Sequence, residues 1–566
     1  MKPKTFLRRF FSGLLASSLL IGATFTGCST SESENTSTSS PGEEKAYELS
    51  DPNTFPILKS GTAELTVFVA PPSQSPDFDN NEFTEYYEDY TGVHINWIYT
   101  TEQDKAQKLT LLLSSGDTLP DIIGVPSWTT SQTLQYGQSG LIVPIGDAIE
   151  KQGYNIKRLF ELYPTYESDL TLSDGNIYCT GMPANTYHTQ VASKMWVYKP
   201  WLDALNLEVP KTIDEFYDML KAFKEQDPNG NGMADEIPLA GSLQSWNADP
   251  LKWVMNSFTY YGESQKYLQV NDGKVEASFT TPEYREGIEF LAKLYEEGLL
   301  SGETYTQDED QMRAMASNAD IQILGCVPAG VQLCFQTIDD KHTDWKNWIG
   351  IAPVEGPDGV QFAEYYPTDL LGGCAGVVTK DCKDVELAVK WMDGCFTGEM
   401  ANSMIIGPKG KYWDYVDEGV TFDGKPAVWD YLGNYLDPEK KNYDWSQAMP
   451  SGSEPDWANG QRIEDPESDW GSVLNNVSTE YYKYQPPTEM ILPLNLIFEN
   501  DEAKEVSDLE TTIQTYVSEM QARFITGDAN VATEWDKYLE ELNNMQLERY
   551  LELYQKSYDK KIASST

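Results

Sequence analysis

The sequence predicts an α/β fold in two lobes, and three observations carry that expectation. Between residues 64 and 124 short apolar runs alternate with amphipathic helical stretches, which is how a parallel sheet covered by helices reads. A similar alternation returns near residue 348. At 566 residues, 40% of them apolar and 12% aromatic, the chain exceeds what one hydrophobic core organises, yet its composition is that of a globular protein.

Taken in order, Glu64–Ala70 (ELTVFVA) reads as a strand, DFDNNEFTEYYEDYTG as a helix closed by Gly92, and VHINWIY as a second strand. DKAQKLTLLLSSGD repeats the helical period, and PDIIGV is a short apolar strand. Parallel sheets bind ligands beyond the carboxyl ends of their strands; here those ends are Ala70-Pro71 and Pro126-Ser127-Trp128. QVASKMWVY (190–198) is a further strand. Thr212-Ile213-Asp214-Glu215 is a capping box, after which Phe216, Met219, Leu220 and Phe223 recur at helical spacing. VNDGKVEAS reads as a hairpin and Thr281-Pro282 as a helix start. DIQILGCVPAG is a buried strand. WIGIAPVEGPDGV, GCAGVVTK and the helical DVELAVKWMDGCF repeat the early pattern, so the chain is expected to return to its first lobe there. The last eighty or so residues read as largely helical.

Ahead of these elements, Lys2, Lys4, Arg8 and Arg9 precede a short apolar run over 10–23 and then Phe25-Thr26-Gly27-Cys28. This is a signal segment rather than a spanning helix, because roughly 20 apolar residues are needed to cross a bilayer. The cysteine after Gly27 resembles the lipobox of bacterial lipoproteins, in which that cysteine is lipidated, although leucine is preferred where Phe25 stands. STSESENTSTSSPGEE then reads as a flexible tether. The expected division is a signal peptide at 1–27, a tether at 28–60, a first lobe at 61–190 and 345–405, and a second lobe at 191–344 and 406–566.

Removing residues 1–27 takes away four basic and no acidic side chains, moving the net charge from −48 to −52. Nucleic acid is thereby excluded as an expected partner, since phosphates require a basic surface. Cys179, Cys326, Cys334, Cys374, Cys382 and Cys395 follow, with no CxxC pair; an extracellular setting permits disulfides, and burial as small apolar residues fits equally. No GxSxG elbow, HExxH pair or Walker loop is present.

DPNGNGMADEIP, residues 227–238, begins as a calcium loop of the EF-hand type does, with Asp227, Asn229 and Asn231 at alternate positions and Gly232 after them. The twelfth position, where a bidentate glutamate is required, is Pro238. An acidic surface turn uses the same residue types.

The order of segments resembles the extracellular solute-binding proteins of bacterial ABC importers, in particular the large carbohydrate-binding lipoproteins of Gram-positive bacteria. The likeness rests on LTLLLSSGDTLPDII, GLIVPIGDAIEK, DGNIYCTGMP, YHTQVASKMWVYKPWLDAL, DPNGNGMADEIPLAG with its capped helix, and the tail FITGDANVATEWDKYLEELNNMQLERYLELYQKSYD. The resemblance implies a periplasmic-binding-protein-like fold, two α/β lobes joined by a hinge and a helical C-terminal region, closing on an oligosaccharide that is delivered to ABC permease subunits. It implies a lipid anchor at Cys28 on the outer face of the membrane, and the working expectation is a monomer. It also implies structural Ca2+ at 227–236, held by the side chains of Asp227, Asn229, Asn231, Asp235 and Glu236 and the carbonyl of Met233, which removes the objection raised by Pro238.

Sugar rings offer apolar faces for stacking and hydroxyls for hydrogen bonds, so aromatic and polar residues at predicted strand ends and hinge turns are the candidate ligand contacts. These are Trp128, Tyr187 and His188, Trp196, Trp246 with Asn247 and Asp249, Tyr365 and Tyr366, and Trp413. A secreted glycoside hydrolase would share the acidic, aromatic-rich composition, but no local context marks the pair of carboxylates it needs; a calcium-dependent carbohydrate adhesin would account for the loop and not for the two-lobed order.

Overall fold

The computed structural model describes residues 46–72, 75–183, 186–317, 321–338, 342–366, 370–433, 442–446, 448–465, 469–494, 496, 498 and 500–565. The signal segment, Cys28 and residues 29–45 lie outside the described residues.

The described chain opens with a small hairpin, β1 (Tyr47–Leu49) against β2 (Leu58–Gly61). This corrects the expected tether, which ends sooner than residue 60. Tyr47, Leu49 and Leu58 pack on the first core, and long-range polar contacts add to them. Tyr47 donates to Asp384 at 2.7 Å, and the buried Lys390 ammonium bonds the carbonyl and hydroxyl of Ser50 and the carbonyl of Asp51 at 2.6 to 2.8 Å.

β3 (Ala63–Val69), β4 (Val93–Tyr99) and β5 (Ile122–Gly124) follow, joined by helices over Glu82–Thr91 and Glu102–Ser115. The helix starts are written in the sequence. Asn81 accepts from the amides of Phe83 and Thr84, Thr101 accepts from Asp104, and Gly92 and Gly116 close the helices at positive φ. β6 (Cys179–Pro183) ends the first run of the chain in this lobe.

The second lobe contains β7 (Lys194–Tyr198), β8 (Ile237–Leu239), the hairpin of β9 (Leu268–Asn271) and β10 (Lys274–Ala277), β11 (Leu324–Ala329) and β12 (Trp348–Ile351). Its main sheet runs β12-β7-β11-β8, with β8 and β11 parallel. β13 (Leu370–Val378) then re-enters the first sheet, whose order is β4-β3-β5-β13-β6. The return therefore comes later than the expected residue 345, because Trp348–Ile351 pairs along its length with β7.

Each sheet has its own core. In the first, Val67, Val69, Ile122 and Val377 are fully buried, and in the second Val197, Phe216, Leu220 and Ile288 are. Trp445, from the region expected in the second lobe, lies in the first core. It sits 4.8 to 6.0 Å from the rings of Phe78, Phe83, Tyr87, Trp97 and Trp391, and its indole donates to Thr84 at 2.7 Å. β14 (Trp413–Tyr415) and β15 (Trp429–Tyr431) form a separate small sheet. The C-terminal helices, Asn500–Thr526, Val531–Asn544 and Leu547–Ser565, pack mainly on the second core through Ile513, Val517, Tyr538 and Leu553. The six cysteines are free thiols. Among the described residues no helix is long and apolar enough to cross a membrane.

Candidate functional site

Beyond the carboxyl ends of the parallel strands β8 and β11 lie the loops that carry Trp246 and Gly330. Trp246 is 40% exposed. Its ring is held by a close approach of backbone, since a Cβ on Gly330 would lie 2.1 Å from it, and its carbonyl accepts the Gly330 amide at 3.0 Å. Asn247, buried at positive φ, then turns the chain into the helix Pro250–Met255, which Asp249 caps through the amide of Leu251. Burial holds the Asp249 carboxyl above its usual range, opposed by the Lys252 ammonium.

The segments that cross between the lobes meet this group. His188, on the crossing from β6 to β7, stands edge-on to Trp246 with ring centres 6.0 Å apart. Burial, reinforced by the Lys194 cation, keeps the imidazole well below its usual range and therefore neutral. Lys194 itself is fully buried and donates to the carbonyls of His188, Val191 and Ala192 at 2.6 to 3.5 Å. Tyr187 packs on Tyr482 and Phe422. On the second crossing, the Tyr366 amide donates to Gln190 on the first at 2.9 Å, and the Tyr366 hydroxyl reaches Glu263 at 3.3 Å and Asn247 at 3.5 Å. Glu364, two residues earlier, is 2% exposed, and burial pushes its carboxyl up to about 7. Lys252 pairs with Glu263 at 2.6 Å.

The loop 227–236 occupies the other end of β8. Asp227, Gly230 and Gly232 all have positive φ, so the chain folds tightly about its own side chains. Asp227 accepts from the amides of Asn231 and Gly232 at 3.1 and 3.0 Å. The amides of Asn229 and Asn231 converge on the Asp235 carboxylate at 3.0 to 3.1 Å. Buried Glu236 Oε1 has no hydrogen-bond partner among the described residues, and burial, with Asp235 and Asp227 adding to it, raises that carboxyl. Among the described residues no group of three or more His, Cys, Asp or Glu side chains forms a metal cage. The donor set here is partly amide and backbone oxygen, and a half-turn of either asparagine amide presents its oxygen to the same point. The residues present thus fit a hard, oxygen-ligated cation, with the orphaned Glu236 oxygen as the observation that favours it.

Residues 71–397, more than half of the chain, match the profile of the bacterial extracellular solute-binding proteins. The chain belongs to that family. Its similarity to the fructooligosaccharide ABC transporter substrate-binding protein FusA of Streptococcus pneumoniae is 28% identity over 527 residues, 89% of this chain and 91% of FusA. The polygalacturonan/rhamnogalacturonan-binding protein YtcQ of Bacillus subtilis is 26% identical over 48% of this chain and 50% of its own. Solved structures of S. pneumoniae FusA with kestose, and of its EF-hand mutant with fructo-nystose, match this fold with TM-scores of 0.75 and 0.74. Both are 25% identical and cover 88% of this chain and 100% of theirs. The architecture is the two-lobed α/β fold of these binding proteins.

Within this solute-binding protein the predicted residues divide. Trp246, Asn247, Asp249, His188 and Tyr366 come together, with Tyr187 on the same crossing segment as His188. Trp128 stands on the first lobe just past β5, half-buried and packed on Tyr136 at 4.6 Å, after two residues at positive φ, Val125 and Ser127. For a β-branched valine this is a strained backbone of the kind found at binding loops. Two of the candidates are packed in cores instead. Trp196 is fully buried with its indole on the Ala329 carbonyl at 3.1 Å, and Trp413 is fully buried with its indole on Ser403 at 3.2 Å; both are core residues. Tyr365 is turned onto the second core. Lys252, Glu263, Glu364 and Gly330 also join this group, beyond the residues singled out in the sequence. Glu364 adjoins the Tyr365-Tyr366 pair and was within reach, whereas only the fold brings Glu263 to Tyr366.

Proposed function

We propose that this protein is an extracellular receptor of an ABC importer that encloses an oligosaccharide between its lobes and delivers it to permease subunits, binding its cargo without chemistry on it. The single observation that carries this reading is the group built on Trp246. An exposed indole is fixed against Gly330 at the carboxyl ends of two parallel strands, and it is flanked by polar side chains from both hinge crossings. A sugar stacked there and reaching Trp128 bridges the lobes, so its added contacts favour the closed state. Lipidation of Cys28 would hold the receptor at the outer face of the membrane as a monomer.

When bound, calcium would neutralise the crowded carboxylates of the 227–236 loop and lock its fold; Asp227, Asn229, Asn231, Asp235, Glu236 and the Met233 carbonyl would hold it. Because this loop and Trp246 lie at opposite ends of β8, the role assigned to the ion is structural.

The test is incubation with a panel of oligosaccharides, followed by both a thermal-shift readout and product analysis. A shift with intact sugar supports the receptor. Release of shorter products would establish a glycoside hydrolase instead.

A further inference from the structure

Behind Trp246 the second lobe has a polar floor that no sequence motif announced. Glu263, with its side chain 45% exposed, is the outermost carboxylate. It is tied to Lys252 at 2.6 Å and to the Tyr366 hydroxyl at 3.3 Å, and Tyr366 leads to Asn247, the neighbour of Trp246, at 3.5 Å. Glu364 lies beneath. One of its oxygens accepts the Glu263 amide at 3.2 Å, and the other, Oε2, is buried, with the Tyr366 hydroxyl beside the carboxyl. The Nε2 of Gln265, whose Oε1 accepts from Tyr260 at 3.1 Å, is buried with no hydrogen-bond partner among the described residues. The part of this floor that solvent reaches is the Glu263 carboxylate, an acceptor for a sugar hydroxyl.

The charge of this floor is one-sided. Asp249, Glu263 and Glu364 surround one ammonium, Lys252, which is already paired. Lys194, on the first crossing, is turned away onto the carbonyls of the crossing turn. Family resemblance leaves the ligand's charge open, because the relatives described above include one named for fructooligosaccharides and one named for polygalacturonan.

We propose that the Glu263–Glu364 floor makes this site select uncharged oligosaccharides and reject uronates. The inference rests on the sugar-binding reading given above. Hydroxyls donate to carboxylates and strengthen there, since charge-assisted bonds are about twice as strong as neutral ones, whereas a uronate would bring a fourth carboxylate into a partly desolvated pocket where Lys252 is already paired.

The experiment is calorimetric titration of the mature protein at pH 8 with neutral oligosaccharides of three to five rings (kestose, nystose, xylo-, manno- and galacto-oligosaccharides) and with oligogalacturonates and oligoalginates of equal length. The expected result is that the strongest ligand is neutral and binds at least tenfold tighter than any uronate. Glu263→Gln, at an exposed position, and the isosteric Glu364→Gln should each narrow that ratio at least threefold by improving uronate binding. A uronate as the strongest ligand overturns the proposal and leaves the receptor reading standing, as does a ratio untouched by both substitutions. A panel in which nothing binds overturns the receptor reading and this inference with it.

Discussion

The indole of Trp246 lies so close to the backbone of Gly330 that a single added Cβ would come within 2.1 Å of the ring. The absence of a side chain at residue 330 therefore fixes where the exposed face of the tryptophan sits. Gly330→Ala should push the ring out of place and weaken sugar binding at least tenfold in calorimetry, with circular dichroism unchanged. Trp246→Ala should do the same, and the double substitution should add little to either, because both remove one feature. Independent, additive losses would contradict the arrangement.

Trp196 and Trp413 should behave in the opposite way. Replacing either with phenylalanine removes a satisfied indole hydrogen bond and leaves a cavity, costing about 2 kcal/mol of stability. Sugar affinity should stay within a factor of two. Chemical denaturation paired with ligand titration separates the two effects, and a lost affinity at unchanged stability would restore these residues to the site.

These two tryptophans mark where sequence reading stopped. Strands, caps and turns were legible because their signals are local: the Thr212 capping box, the closing Gly92, the Asp272-Gly273 turn of the β9–β10 hairpin at positive φ. The direction in which an aromatic near a strand points depends on what packs over it, and a nine-residue window does not contain that. The β1–β2 hairpin escaped for a related reason, since Asp384 and Lys390, more than three hundred residues away, hold it. Glu263 joins the group around Trp246 only because folding carries it to Tyr366.

Chelation provides a third test. Removing calcium with EDTA should lower the melting temperature by a few degrees, since an ion present at a hundred times its Kd contributes about 2.7 kcal/mol. Sugar affinity measured at 20 °C should be nearly unchanged. Asp235→Asn should reproduce the loss and make the protein insensitive to EDTA. Abolished sugar binding at an unchanged melting temperature would place the ion in the cleft.

The pH dependence follows from Glu364. Burial pushes its carboxyl up to about 7 from an ordinary value near 4.5, Glu263 adding to the shift and Lys252 opposing it. A raised carboxyl favours the folded state when protonated, so its contribution is complete below about pH 4.5 and is lost as pH rises through 7. Asp393 and Asp444 share that sign, so the informative quantity is the difference from Glu364→Gln. The variant's melting temperature should gain on the native protein from about pH 5 to pH 7 in scanning calorimetry and level off towards pH 8. Parallel curves would show that Glu364 does not titrate there.

Closure of the two lobes would bring Trp246 on one and Trp128 on the other to the same sugar. Small-angle scattering of the mature protein, with and without its strongest oligosaccharide, reads that closure. The bound state should have a smaller radius of gyration, with no such change in Trp246→Ala at the same sugar concentration. An unchanged radius with a sugar that calorimetry shows to be bound would contradict it.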